Sequence, residues 1–339
     1  MSLSLGQKAG WGLADMGIVV FVIVKQLLIL AFMNSFLGIP IALAGAVTTA
    51  VLIFDIITDP IIGYFSDKTV SRFGRRAPWM LVGAVVLALA MIGLFAVPEN
   101  FTTSASLIWV IVFFLISTLG FTMVSIPYGA MAGEMTLDKK ERSSMTAWRM
   151  AFASLGILVG GALIPILAGD TKSGYTFAAI CVAPLIILSI WFSVFFTRNA
   201  PRTLVPSQQN FSYILKLVLA NRAFVTLVIL YGIMTLAIAL ITAGLPFAAM
   251  YLIMDDGNSL LSGVAKGLGT LSLMFAAFVI GSIISQALWV KLSNLYGKVA
   301  AQLIGILCYI ALLIFIFFSL PNYNVTLIAG LFILAGMTN

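Results

Sequence analysis

Phe54-Asp55-Ile56-Ile57-Thr58-Asp59-Pro60 is followed by Gly63 and Asp67 and then by Arg72-Phe73-Gly74-Arg75-Arg76. The stretch sets two carboxylates inside an apolar segment and a short basic loop directly after it. In a helix, residues i and i+4 share a face, so Asp55 and Asp59 point the same way. A charged side chain near a bilayer centre costs about 2.5–3.5 kcal/mol on insertion scales, and such residues mark functional sites by default. Two carboxylates on one face cannot both ionise cheaply: either one holds a proton or a bound cation neutralises the pair. The default reading is a cation site. The alternative is a structural ion pair with a Lys or Arg from another helix. Pro60 adds an acceptor, because its ring clashes with the Ile56 carbonyl and lacks the N–H that would satisfy it. Thr58 lies beside the pair. Hard oxygen ligands of this kind suit Na+ or Li+, and the same carboxylates can carry H+.

The rest of the chain has the composition of a membrane protein. Of 339 residues, 62% are hydrophobic and only 9% are charged, against about 25% charged in soluble chains. Apolar runs of about 20 residues recur along the whole length, enough for each to cross the hydrocarbon core as a helix. The alternating segments of about ten residues that outer-membrane barrels require are missing from the sequence. The expected class is an all-α polytopic membrane protein embedded in a lipid bilayer. There is no histidine, so a His-based proton relay, His metal ligands and a Ser-His-Asp triad are excluded. Cys181 and Cys308 sit inside apolar runs and form neither a disulfide framework nor a metal motif. No cofactor is expected, and no enzyme. The net charge of +7 is spread over loops on one side rather than gathered in a nucleic-acid-binding domain.

The expected spans are 10–36, 41–65, 78–97, 104–131, 143–168 and 176–197, then 223–254, 267–290 and 299–320, with a shorter apolar run from Val325 to the end. One set of loops holds Lys68, Arg72, Arg75, Arg76, Lys139, Lys140, Arg142, Arg198, Arg222 and Lys291, whereas the opposite set holds Lys172 and Lys266. By the positive-inside rule the rich side is cytoplasmic, and Lys8 puts the N-terminus there too. The longest polar segment, 198–222, divides the chain into a six-span unit, 1–197, and a second unit, 223–339. Six spans, a linker and further spans are the organisation of transporters built from repeats. A faint echo links the loop at Asp67–Arg76 to Lys291-Leu292-Ser293-Asn294-Leu295-Tyr296-Gly297-Lys298, each two spans into its half.

Gly63-Tyr64-Phe65-Ser66-Asp67 with Arg72-Phe73-Gly74-Arg75-Arg76 resembles the loop motif of the major facilitator superfamily. Asp59-Pro60-Ile61-Ile62-Gly63, Arg75-Arg76-Ala77-Pro78-Trp79, Trp11 to Gly17, Ile126-Pro127-Tyr128 and Thr136 to Arg149 resemble one branch of it, the glycoside–pentoside–hexuronide:cation symporters. The resemblance implies twelve helices in two six-helix bundles, of which about nine and a half are expected here. The run Val325–Asn339 gives only about 22 Å of helix at 1.5 Å per residue, so the sequence is expected to stop within the tenth helix of a longer protein.

The resemblance further implies the site roles. Asp55, Asp59, Thr58 and Thr122 would form the cation site, Thr122 matching a hydroxyl position of that family. Arg149 matches an arginine that lines the solute path, and Ser125 and Tyr128 fall in the same region. Gly63, Asp67, Gly74, Arg75 and Arg76 would form a cytoplasmic gate, with Arg72 read as plain positive-inside charge. Val19, Ser125 and Gly129 stand where a galactoside-transporting member has two acids and an aromatic ring, so the solute pocket is rewritten. Lys25 lies near the middle of its span and, counting rise, roughly 7 Å in depth from Asp55. It either pairs with Asp55 or contacts solute. Asp15, at the cytoplasmic end of the first span, is read as a helix-packing residue with a functional role left open. The expected activity is symport of a sugar, glycoside or hexuronide with Na+ or H+ by a monomer in a bacterial inner membrane. A same-fold carrier of an organic anion or lipid-like solute, and a non-transporting remnant or sensor, are the alternatives.

Overall fold

The computed structural model describes residues 3–169, 171–201, 220–255, 257–321 and 324–338. Its elements are all helices, as the backbone requires where no water can satisfy its polar groups. In chain order they are α1 (Leu5–Ser35), α2 (Ile41–Lys68), α3 (Ala77–Phe95), α4 (Thr103–Met135), α5 (Lys140–Ala168) and α6 (Lys172–Thr197). After the linker come α7 (Arg222–Tyr251), α8 (Ser262–Leu268), α9 (Thr270–Tyr296), α10 (Lys298–Ser319) and α11 (Val325–Thr338). Among the described residues, seven helices are long and apolar enough to cross a membrane, or eight if the bent pair α8–α9 is one span. Most of the linker, residues 202–219, lies outside the described residues.

The helices begin earlier or run longer than the apolar runs predict, because polar first and last turns belong to them. Ser4 caps α1 in a reciprocal capping box with Gln7, and Asp138 caps α5 by accepting from the Lys140 N–H. Helix α4 continues through Glu134 to Met135, where the sequence reads as the start of a charged loop. Helix α9 likewise runs on through Lys291 to Tyr296, so the expected loop there shrinks to Gly297. Gly297 (φ 82°) and Gly74 (φ 90°) both adopt left-handed backbone at the turn that starts the next helix, a conformation open to glycine at little cost. The two faintly similar loops therefore share their turn geometry although their side chains differ. At the other end, Gly269 (φ 82°) separates α8 from α9 at a 109° bend, whereas the expected span begins at 267 and leaves most of α8 in the preceding loop.

Helix α1 is central to the first half and packs against α5 and α6; α3 packs against α4 and α6, and α2 lies against α4. The α1–α5 seam is close because of glycine. A Cβ on Gly12 would sit 2.8 Å from the Arg149 backbone N, and one on Gly156 would sit 2.5 Å from the Met16 carbonyl. Small residues at such seams let backbones approach where apolar burial gives no driving force. Gly161 faces the second half, with a Cβ there 2.2 Å from the Phe275 ring of α9. One buried apolar cluster joins α1 through α6, and a second joins Ile253, Met274, Ala277, Ile316 and Ile328.

Two π-helical turns interrupt the first half, Val24–Leu28 in α1 and Val159–Leu163 in α5, and they touch each other. Such turns are frequent at functional sites. The one in α1 contains Lys25.

Candidate functional site

Lys25 and Asp55 form an ion pair, Nζ to Oδ2, between α1 and α2; the side chains are 10% and 16% exposed. Both charges lie deep in apolar spans, where each alone would be costly. The pairing resolves one alternative left open by the sequence: in this conformation Lys25 holds Asp55. The other carboxylate oxygen, Asp55 Oδ1, is buried and has no hydrogen-bond partner.

One turn on, Asp59 accepts from the Thr122 hydroxyl of α4 at 3.1 Å. Thr122 is fully buried, so its hydroxyl is committed to that carboxylate. The Thr58 hydroxyl, also buried, donates back along its own helix to the Phe54 carbonyl at 3.0 Å and the Asp55 carbonyl at 3.3 Å. Its lone pairs remain available. Helices α1, α2 and α4 thus bring together Lys25, Asp55, Thr58, Asp59 and Thr122, an oxygen-rich group with one ammonium.

A second cluster surrounds Arg149. Its Nε donates to Asp15 Oδ2 at 3.0 Å; Asp15 is 2% exposed and Arg149 41%. The guanidinium also lies over the Tyr128 ring at 5.6 Å, and Tyr128 stacks on Trp11 at 4.7 Å. The Trp11 indole N–H donates to the Tyr128 carbonyl at 3.3 Å, within the helical turn that follows Pro127. Asp15 thus fixes one edge of Arg149, whose side chain is otherwise partly exposed. The hydroxyl of Tyr128 and the Oδ1 of Asp15 are buried without a hydrogen-bond partner. Ser125 is half-buried and Gly129 exposed, on the same helix as Tyr128.

At the basic end, Arg76 is the hub. It pairs with Asp67, donates from Nε to Glu134 at 3.1 Å and from Nη1 to the Ser66 hydroxyl at 2.8 Å. Arg75 reaches the same Glu134 oxygen at 2.9 Å. Glu134 is 4% exposed, so α2, the loop and α4 are tied by charge-assisted bonds sheltered from solvent. Sequence reading omitted Glu134 because it treats the residue as loop; a helix continued by one more turn would have flagged it. Gly63 is less constrained than the motif suggests, since a Cβ there would make an ordinary 3.6 Å contact with Ile126. Arg72 lies over the Phe73 ring at 4.8 Å. A further tie was also missed: Glu141 accepts from the Leu3 N–H at 2.7 Å and the Thr136 hydroxyl at 2.7 Å and pairs with Lys8 at 3.5 Å.

At the end opposite this hub, a cleft of about 440 Å³ opens between the halves, with Leu28, Ala31, Asp255, Lys266 and Thr270 on its walls. Asp255, in the segment between α7 and α8, is held below the usual carboxylate range by the Ser262 hydroxyl and the Gly257 N–H.

Multiple apolar spans and a cleft between two halves are the architecture of a multi-pass membrane protein. The chain belongs to the MFS/sugar transport protein family, whose model matches residues 10–339. It is 28% identical over 317 residues to the uncharacterized symporter YjmB of Bacillus subtilis, covering 89% of this chain and 65% of that one. It is 30% identical over 225 residues to the putative glycoside/cation symporter YagG of Escherichia coli, covering 65% of this chain and 48% of that one. The putative sulfoquinovose importer of Salmonella typhimurium is 28% identical, covering 57% of this chain and 42% of that one. The chain thus spans less than two thirds of the length of these curated relatives. Its fold is shared with the crystal structure of a D-xylose-proton symporter, with a TM-score of 0.56, 12% identity, 98% of this chain and 79% of the other covered.

Proposed function

We propose that the chain is the larger part of a secondary active symporter that couples a monovalent cation, H+ or Na+, to uptake of a sugar, glycoside or acidic sugar. The observation that carries this reading is the placing of Asp55 and Asp59 one turn apart on α2, half-buried, with Asp59 accepting from the buried Thr122 of α4, in a chain of the sugar transport family. The coupling ion takes its place at Asp55 and Asp59, with the hydroxyls of Thr58 and Thr122 as neutral ligands. The solute lies between the two halves, 1–197 and 223–339, with Arg149, Tyr128 and Ser125 on one wall. Alternating access then rocks the halves about the bound solute, as in repeat-built transporters. Coupling is reciprocal: if the cation stabilises the solute-binding geometry, the solute raises cation affinity by the same factor.

The guanidinium of Arg149, anchored by Asp15 and 41% exposed, favours a solute with a carboxylate or sulfonate over a neutral sugar, since Arg recognises such groups with a planar fork. The name of the Salmonella relative, a putative sulfoquinovose importer, points to the same charge class. A second reading, a carrier of a non-sugar organic anion, draws on another relative, a putative 2,3-dihydroxypropane-1-sulfonate exporter of the same organism, 28% identical. We place the basic hub of Arg75, Arg76, Asp67 and Glu134 on the cytoplasmic side of a bacterial inner membrane, with the N-terminus cytoplasmic, from the loop charge bias. There it acts as a gate that latches α2 to α4 in one state and releases in the other.

Uptake in proteoliposomes tests the reading. A panel of neutral glycosides, uronates and sulfonated sugars is offered under an imposed H+ or Na+ gradient, with Asp59→Asn as the control. Gradient-driven accumulation of an acidic sugar, abolished in the variant, is expected. Equal uptake with and without either gradient would contradict it.

A further inference from the structure

Lys25 occupies the oxygen that an alkali ion would otherwise take. Its ammonium pairs with Asp55 Oδ2 from within the π-helical turn of α1, and among the described residues the hydrogen-bond partner of Asp59 is the neutral Thr122 hydroxyl. Resting on the reading of Asp55 and Asp59 as the coupling-ion site, we propose that Lys25 determines ion selectivity: it is a tethered cation that excludes Na+ from the carboxylate pair.

The argument is one of charge and of ligand supply. Na+ at a site of this kind needs oxygens of both carboxylates turned toward it, as hard cations take several oxygen ligands. Lys25 already binds one of those oxygens and, as a fixed positive charge, repels a second cation. At about 4 Å and an effective dielectric of about 20, that repulsion weakens Na+ binding by roughly a thousandfold. The ammonium cannot diffuse away, because α1 is pinned beside α5 by the glycine seam at Gly12 and Gly156. The π-helical turn matters here, since the extra residue it inserts sets where along α1 the Lys25 side chain leaves the helix. A purely structural ion pair would differ in its ion binding: removing its lysine would leave two carboxylates that create no selective Na+ affinity.

The experiment is titration of NaCl into the purified chain in detergent with choline as the background cation, followed by calorimetry. The native chain is expected to show no saturable Na+ binding. Lys25→Met is expected to bind Na+ at least about tenfold more tightly than the native limit, Lys25→Arg to behave as native, and the Lys25→Met, Asp59→Asn double variant to lose the gain. Circular dichroism and gel filtration check the fold, and Lys25→Gln, uncharged but still able to hydrogen-bond Asp55, carries the same expectation if Lys25→Met does not fold. Saturable Na+ binding by the native chain that Asp59→Asn abolishes overturns the proposal, as does a folded Lys25→Met or Lys25→Gln that gains none. These outcomes are separate from failure of the symport reading: uptake coupled to no ion sinks that reading, whereas uptake driven by Na+ in the native protein sinks only the role of Lys25.

Discussion

Asp15 and Arg149, 134 positions apart, meet across the α1–α5 seam with Nε 3.0 Å from Oδ2, and the buried acid thereby sets the direction of a half-exposed guanidinium. The acid is sealed while the base is partly exposed. Asp15→Asn keeps the shape but weakens the charge-assisted bond, so Arg149 loses its fixed edge. Solute affinity is expected to fall about tenfold, with KM raised more than the maximal rate is lowered, for a loss of roughly 1.4 kcal/mol of binding. Uptake kinetics of the variant beside the native chain check it, and Arg149→Lys, which keeps charge but not the planar fork, is expected to be the more damaging of the two.

The Lys25–Asp55 pair predicts strong non-additivity. Asp55→Asn leaves an ammonium unpaired in an apolar span, at a cost of about 2.5–3.5 kcal/mol. Lys25→Met leaves the opposite charge unpaired at similar cost. The double variant removes both and is expected to recover most of the lost stability, because a buried pair is often replaceable by apolar groups while a broken one is not. Thermal unfolding of the four proteins in detergent, analysed as a double-mutant cycle, measures the coupling.

Thr122→Val removes the hydroxyl that donates to Asp59 and keeps the volume. Hydrogen bonds between membrane helices average about 0.6 kcal/mol, so stability is expected to change little. Ion-dependent uptake is expected to suffer far more, since Asp59 loses the Thr122 hydroxyl that orients it. A shift in the cation concentration for half-maximal uptake, with an almost unchanged melting temperature, is the expected signature.

Glu134 serves two arginines at the basic hub. Glu134→Gln is expected to cost about 3–5 kcal/mol, as for a broken buried pair, and to free the ends of α2 and α4. Labelling of a cysteine placed at Ile62, buried on α2, by a small maleimide should quicken severalfold in that background. Glu134→Asp should restore part of the protection.

The general architecture was legible because the bilayer forces a simple code: long apolar runs are helices, and basic loops mark one side. The Lys25–Asp55 contact was half legible, since helix rise alone brings the two to similar depth, while only the structure selects pairing over the alternative. Asp15–Arg149 had no sequence signal, as nothing in the periodicity of α1 or α5 says which faces meet; the close approach at Gly12 and Gly156 decides it. The π-helical turns left no trace in composition either. Glu134 was hidden by a boundary, because hydropathy ends a span where apolar residues end, whereas backbone hydrogen bonding carries α4 one turn further. The Lys291–Lys298 echo was legible only in its glycine, whose left-handed turn is the part of that motif the backbone needs.

The central claim is that Asp55 and Asp59 tie ion movement to solute movement. The most direct measurement adds an acidic sugar to proteoliposomes, with no ion gradient imposed, and follows external pH and Na+ electrodes together. The account predicts solute-triggered cation entry, seen as external alkalinisation without Na+ uptake, and its loss in Asp59→Asn. Solute uptake with neither ion moving, or ion movement unchanged in Asp59→Asn, would contradict it.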